Sequence, residues 1–481
     1  MSVVDEVSIT QNRRSHREFE DSALYCYNPQ ALSLLPPQSV DLIEPLMPVL
    51  TRFRFYPIAP ALGVFLLALL TLGGASDANG DNWGQWRGGS FDSVSGDAGS
   101  TTQTSPISSE LWKFELPGSA GASPVVWGDH IFVSTTDQKK LQLICLDTGG
   151  EKQWQRDLPG KSKSAMDNSN SASPSPITDG QHVWVMMGNG AMACFDFDGE
   201  EIWAKDIQKD YGKFSIQFGM STTPVLNDGK LYLTLIHGVQ KNKATSEGKL
   251  ICLDAASGEE IWQVVRKTDA VAECKHSYSS PIVVGQGDSA VLVVHAADYT
   301  TGHAVADGKE LWRFAGINPK GENYNRTLRL VASPVAHKGL LVVPTAKKGA
   351  VIGYQISGTQ KPERVWRLER GTPDVASPVV YQDRVFLAGE KGVMKVLDAS
   401  SGEVLTKKRL LADRHRSTPV VVDGKLVVVG RDGTVSVFKA DKDLELISER
   451  ELKEQSVASP AVADGRIYIR TAKALYAFGS P

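Results

Sequence analysis

Eight prolines, each preceded by Ser or Thr and followed by an apolar run, divide most of this chain into units of near-equal length. They are Pro124, Pro176, Pro224, Pro281, Pro334, Pro378, Pro419 and Pro460, with successive spacings of 52, 48, 57, 53, 44, 41 and 41 residues. A period of that length points to a repeat architecture in which each unit is one supersecondary element. Between the prolines the apolar residues alternate with period two. The units are therefore strands, and the spacing suits four-stranded propeller blades and excludes helical repeats.

One unit shows how the residues specify the strands. "STTPVLNDGKLYLTLI", from Ser221, gives a strand, a turn at Asn227-Asp228-Gly229 and a second strand. Asp-Gly between apolar runs is a hairpin signal, because both central residues of the favoured turn need positive φ. "GKLICLDAASGEEIW" then supplies a third strand, a turn at Ala256-Ser257-Gly258 and an outer strand ending at Trp262. The same Asp-Gly pair recurs at Asp179-Gly180, Asp423-Gly424 and Asp464-Gly465, and the outer-strand tryptophan recurs as Trp154, Trp203, Trp312 and Trp366. Thr406 stands at that position in the sixth unit, and "DLELISEREL" replaces the motif in the seventh. The eighth unit stops at "ALYAFGSP" without an outer strand of its own, while "SSELWKFELP", with Trp112, precedes the first unit. The expected fold is all-β: an eight-bladed β-propeller of four-stranded antiparallel blades, closed by an N-terminal outer strand. Closure of this kind also removes sheet edges that would recruit other chains.

Residues 1–46 mix charges with Pro29, Pro36, Pro37 and Pro45 and lack a sustained period, so they form a disordered extension or lie ahead of a true start at Met47. Residues 47–78 have the layout of a signal peptide: Arg52 and Arg54, an apolar run from Ile58 to Leu72, then small residues to Ala78. The alternative is an uncleaved single membrane anchor over about 58–74, although the apolar run is short of the roughly 20 residues a span needs. Either reading exports residues 79–481, to the periplasm or cell envelope. With 52 basic and 55 acidic residues, the chain shows no excess that would mark a nucleic-acid or membrane-surface protein. Cys145, Cys194 and Cys252 hold the same place in three units, which would set them well apart in a ring, and Cys274 stands alone. They are expected as small buried residues without a disulfide framework.

The motif "CLDAASGEEIW" (252–262), with its relatives "CFDFDGEEIW" and "AVADGKELW", resembles the pyrroloquinoline-quinone (PQQ) repeat superfamily, whose pattern is roughly A-x-D-x-x-x-G-K-x-x-W. Cys252 takes the small-residue slot, followed by Asp254, Gly258, Glu259 in place of the usual Lys, and Trp262. "NWGQWRGG" (82–89) also resembles a stretch common in exported members. The resemblance covers roughly residues 80–481 and implies one of two broad functions. One is a quinoprotein alcohol dehydrogenase binding PQQ and calcium; the other is a non-enzymatic scaffold like the outer-membrane assembly lipoprotein BamB. The sequence departs from both. It has no adjacent Cys-Cys pair and no placeable set of Glu, Asn and Asp around a metal, and no Cys follows the apolar run to carry a lipid.

Positions that differ between units are where specialised chemistry is expected, and the segments leading into the anchor prolines differ most. Their inner strands should line a central channel. The first and eighth are bland, "GSAGASP" and "QSVASP". The others carry Asn168 and Asn170, Gln217, Lys275 with His276 and Tyr278, Asn325 with Arg326 and Arg329, Asp374, and Arg414 with His415 and Arg416. A channel mouth with several Arg, two His and few acids would suit a small anionic or glycan ligand, since Arg presents a planar donor fork. Polar residues facing a water-filled channel are also expected without any ligand. No Ser, Cys or carboxylate partner is identifiable that would make His276 or His415 catalytic, so no catalytic residue and no metal site is assigned. "DFDGEE" (196–201) fails as a calcium loop beyond Asp198, no zinc-type His spacing occurs, and "GQGDSA" (285–290) is a turn. Trp83 and Trp86 are placed as a cap on one face of the ring.

The expected function is a non-catalytic binding or assembly scaffold of the cell envelope whose partners are envelope proteins or peptide segments. A PQQ-dependent oxidoreductase and a polysaccharide- or anion-binding propeller are the alternatives.

Overall fold

The computed structural model describes residues 82–96, 105–163, 170–238, 246–345, 349–412 and 414–479. The leader, the anchor segment and Asn168 lie outside them. The described chain forms eight sheets, seven of four strands and one of five, each built on a row of four antiparallel strands, so the fold is an eight-bladed propeller. Blades one to seven, in chain order, run over 125–158, 177–206, 225–268, 282–314, 335–368, 379–409 and 420–451. Blade eight takes three strands from 461–479 and its outer strand, Ser109–Glu115, from the other end of the described chain.

Each blade begins with a strand of only two or three residues, such as Val125–Trp127. These strands follow the anchor proline and do not lead into it. The segments ahead of the prolines are irregular, because they must turn from the outer edge of one blade to the inner edge of the next. Three Asp-Gly hairpins hold positive φ at both positions: Asp228 and Gly229, Asp423 and Gly424, Asp464 and Gly465. Asp179-Gly180 differs, with positive φ only at the glycine and Asp179 accepting the N–H groups of Gln181 and His182. The second and third strands are almost wholly buried, which gives separate apolar clusters between neighbouring blades. Ser246–Asp254 forms the third strand of blade three.

The outer tryptophans set the packing between blades. Trp112, Trp154, Trp203, Trp262 and Trp366 each donate an indole N–H to a carbonyl of the next blade, at Thr148, Phe197, Ala255, Val305 and Ala399 (2.7–3.1 Å). Each ring covers the glycine of the next blade's turn: a Cβ on Gly150, Gly199, Gly258, Gly308 or Gly402 would lie 2.6–2.8 Å from it. Trp312 faces blade five, whose turn has no such motif, and its N–H is buried without a partner.

Within a blade, the residue paired with the tryptophan on the neighbouring strand is small. Cys145, Cys194, Cys252, Gly302, Gly353 and Ala477 pair with Trp154, Trp203, Trp262, Trp312, Trp366 and Trp112. Where Thr406 and Ser448 replace the tryptophan, the paired residue is Val396 or Val437. The four described cysteines are free and buried, and burial pushes the Cys145 and Cys194 thiols up to about 12.

Candidate functional site

A central cavity of about 400 Å³ lies along the ring axis, walled by the segments ahead of the anchor prolines. Its basic structure is a belt of hydrogen bonds. The residues immediately before the prolines are Ser123, Ser175, Thr223, Ser280, Ser333, Ser377, Thr418 and Ser459. The backbone N–H of each donates to the side-chain hydroxyl of the next (2.9–3.1 Å), and Ser459 N–H closes the circuit on Ser123 Oγ. The proline that follows cannot donate, so the belt runs through the one N–H available at that point. This gives the Ser/Thr-Pro pattern a structural cause. Each hydroxyl satisfies a buried amide of the neighbouring blade.

The N-terminal segment 82–96 crosses the axis at one end. Trp83 is buried and exchanges both backbone hydrogen bonds with Val126 of blade one. Gly84 accepts from Thr178 of blade two, and Gln85 pairs with Leu226 of blade three (3.2 and 3.5 Å). Arg87 is fully buried: Nη1 donates to Pro334 O (2.8 Å), Nη2 donates to Phe91 O, and desolvation lowers its pKa to about 10. Val94–Ser95 then lies parallel to the inner strand of blade seven. Trp86 forms part of the cavity lining and approaches Ser459 Oγ (3.4 Å). This segment was the expected cap, and it floors the cavity with Trp86 while Trp83 joins the core.

The structure sorts the sequence candidates. Tyr278, Arg329, Asp374 and Arg416 line the cavity. Asn170 and Gln217 instead line a second cavity of about 520 Å³ beside blades two and three. Asn170 is occupied there in holding its own turn, donating to Ser119 O and accepting from the Ala172 N–H. His276 and His415 are buried and off the lining. His276 Nδ1 accepts from the Gly238 N–H (3.2 Å), and burial beside Lys275 and His237 pulls its pKa down to about 4. Asn325 caps its own loop through Thr327, while Arg326 and Arg414 are exposed outside the cavity. Adjacent positions in an extended stretch point to opposite sides, so His415 turns into the fold where its neighbour Arg416 faces the cavity.

Sequence reasoning missed the acids. Arg329 Nη1 lies 3.1 Å from Glu273 Oε2, and Arg416 Nη2 lies 3.5 Å from Glu390 Oε1. Glu390, in the loop after Arg384–Ala388, is nearly buried and also faces Arg414 at 4.0 Å. Each of the two lining arginines therefore has a carboxylate at one edge of its guanidinium. Phe218 was missed too; it lines the cavity, its ring lies 6.1 Å from that of Tyr278, and the Arg329 guanidinium sits 4.5 Å above it. Burial pushes the Tyr278 phenol up to about 12, and its oxygen accepts from the Phe218 N–H.

The donor set does not fit calcium-assisted quinone chemistry. Calcium takes six to eight oxygens, usually with several carboxylates. Among the described residues Asp374 is the one carboxylate on the cavity lining, two arginines share that lining, and the hydroxyls at the prolines are engaged in the belt. Among the described residues no three His, Cys, Asp or Glu side chains converge.

A family model described as outer membrane protein assembly factor BamB matches residues 105–233, 189–410, 359–446 and 397–478, overlapping stretches that cover nearly all the propeller. The chain belongs to this family. BamB of Burkholderia pseudomallei (strain K96243) is 26% identical over 247 residues, so the match spans 51% of this chain and about half, 55%, of that protein. Among solved structures, BamB from Moraxella catarrhalis superposes with a TM-score of 0.55 at 14% identity, covering 77% of this chain and 97% of that one. Quinohemoprotein alcohol dehydrogenase from Comamonas testosteroni gives 0.60 at 12% identity, covering 84% and 81%. At such identities the two structures show a shared fold. The fold is common to an assembly factor and an enzyme, and it does not choose between them.

Proposed function

We propose that this chain is an exported, non-catalytic binding scaffold of the cell envelope, docking outer-membrane assembly proteins or peptide segments of them on the loops and edges of its ring. The observation that carries this reading is how the channel spends its polar groups. Eight hydroxyls are engaged by eight backbone amides. Arg329 and Arg416 are turned to Glu273 and Glu390, and both candidate histidines are buried off the wall. Catalysis by acid, base or nucleophile needs a reactive group paired with its activator and within about 3 Å of a substrate, and among the described residues the lining supplies no such pair. Membership of the BamB family supports the same reading, as does the leader pattern over 47–78 for export.

The test is site-specific photo-crosslinking in intact envelopes from Arg326, Leu411 and Arg414; all three are exposed, and Leu411 is 64% so. Reproducible crosslinks to outer-membrane assembly proteins are expected. Dye-linked alcohol oxidation after addition of PQQ and calcium, with no crosslink above that of an inert control, would reverse the assignment in favour of the oxidoreductase.

A further inference from the structure

The hydroxyl belt alone would tolerate any polar or small residue at the remaining wall positions. They are instead sorted by blade. Third before each anchor proline stand Gly121, Ser173, Ser221, Tyr278, Val331, Val375, Arg416 and Val457, all on the cavity lining. The segments of blades eight, one and two present only small or aliphatic groups there. Those of blades three and four add the tilted Phe218–Tyr278 pair, and those of blades five, six and seven add Arg329, Asp374 and Arg416 in succession. Around one axis the cavity has an open wall, an aromatic wall and a charged wall, with the Trp86 indole as its floor.

Both arginines are held in place. Glu273 fixes one edge of Arg329 while Phe218 supports its flat face, and Glu390 faces Arg416. A guanidinium oriented in this way binds a carboxylate with less loss of rotamer freedom than a free one. Asp374, on the segment between them, completes this wall. The volume, about 400 Å³, lies in the usual range for small-molecule pockets. The Trp86 floor excludes a polymer threading through.

We propose that this funnel binds a small carboxylate carrying a flat apolar group, with the carboxylate between Arg329 and Arg416 and the flat group on the aromatic wall and floor. The proposal rests on the scaffold reading and deepens it. The ligand is either a free aromatic acid or the last residue of a polypeptide, which share this chemistry.

The experiment titrates the exported protein with N-acetyl-phenylalanine, its amide, a hexapeptide ending in free phenylalanine and the same peptide amidated. It reads heat and the quenching of tryptophan fluorescence that is lost in Trp86→Phe. The free carboxylates should bind at least tenfold tighter than the amides, and Arg329→Gln and Arg416→Gln should each lose at least tenfold. Tighter binding of the peptide assigns the polypeptide end, and tighter binding of the acetyl amino acid assigns the free acid. Equal binding of acid and amide, or binding of neither, overturns the proposal. Where a Gln variant does not fold, Val457→Phe gives the second test: it fills the open wall without touching an ion pair, and it should abolish binding. Binding that survives Val457→Phe also overturns the proposal. Failure to bind with the envelope crosslinks intact removes this inference alone, whereas binding without crosslinks removes the scaffold reading alone.

Discussion

Ser333 shows what a single hydroxyl contributes. Its oxygen accepts the backbone N–H of Ser280 at 2.9 Å while its own N–H reaches Ser377. Ser333→Ala would leave the Ser280 amide buried without its partner, so a loss of about 1–3 kcal/mol is expected in urea unfolding. Ser333→Thr should cost less than Ser333→Ala in the same measurement, because it keeps the hydroxyl and Thr223 and Thr418 already serve in the same belt. At Gly353 the constraint is volume. A Cβ there would lie 2.2 Å from the Trp366 ring, so Gly353→Val should cost about 3 kcal/mol or more. These constraints were partly legible. The Ser/Thr-Pro pattern is plain in the sequence, but its cause is not, because the partner of each hydroxyl lies at least 41 residues away, and 336 away where Ser459 closes on Ser123.

At the scale of the strand, blade six is the natural control for the Trp–small-residue pair. There Val396 faces Thr406, the reverse of Gly353 facing Trp366. The double variant Gly353→Val with Trp366→Thr should therefore recover at least 1 kcal/mol of the loss caused by Gly353→Val alone. No recovery in a double-mutant cycle would show that the glycine is required for its backbone and not for the space it leaves. The register slips by one residue in every outer strand, close to the tryptophan position, as between Glu201 and Trp203 or Gly353 and Tyr354. Such bulges twist an edge and discourage pairing with other chains. Period-two patterning located the strands themselves. It misplaced the inner ones relative to the prolines, because two or three residues are too few to show a period.

Across the whole molecule, buried histidines link stability to pH. Burial holds His276 and His303 down to about 4 and His295 to about 3, whereas an unfolded histidine titrates near 6.5. Between those values the unfolded chain binds protons that the native state does not. Stability is therefore fully present above pH 6.5 and falls as pH drops towards 4, by up to about 1.4 kcal/mol per pH unit for each histidine. Denaturation at pH 7.5, 5.5 and 4.5 should show this slope, and His303→Asn should flatten it; a level profile would contradict the assignment. Each of these rings is engaged locally, as His303 is with Gly308 O and Thr301 Oγ1, so the effect concerns folding and not chemistry in the channel.

The sequence by itself determined the number of blades, the strand order within each and the tryptophan wedges. All of these are repeated, local signals that a chain restates every 41–57 residues. It also marked where the blades differ, and with that Tyr278, Arg329, Asp374 and Arg416. Tertiary structure alone decided which side of each segment faces the axis, that Glu273 and Glu390 meet the two arginines, and that Trp86 closes the floor. The physical reason is distance along the chain. Arg87 reaches Pro334 O and Trp86 reaches Ser459 Oγ across hundreds of residues, and no local pattern encodes a contact that exists only once the ring has formed.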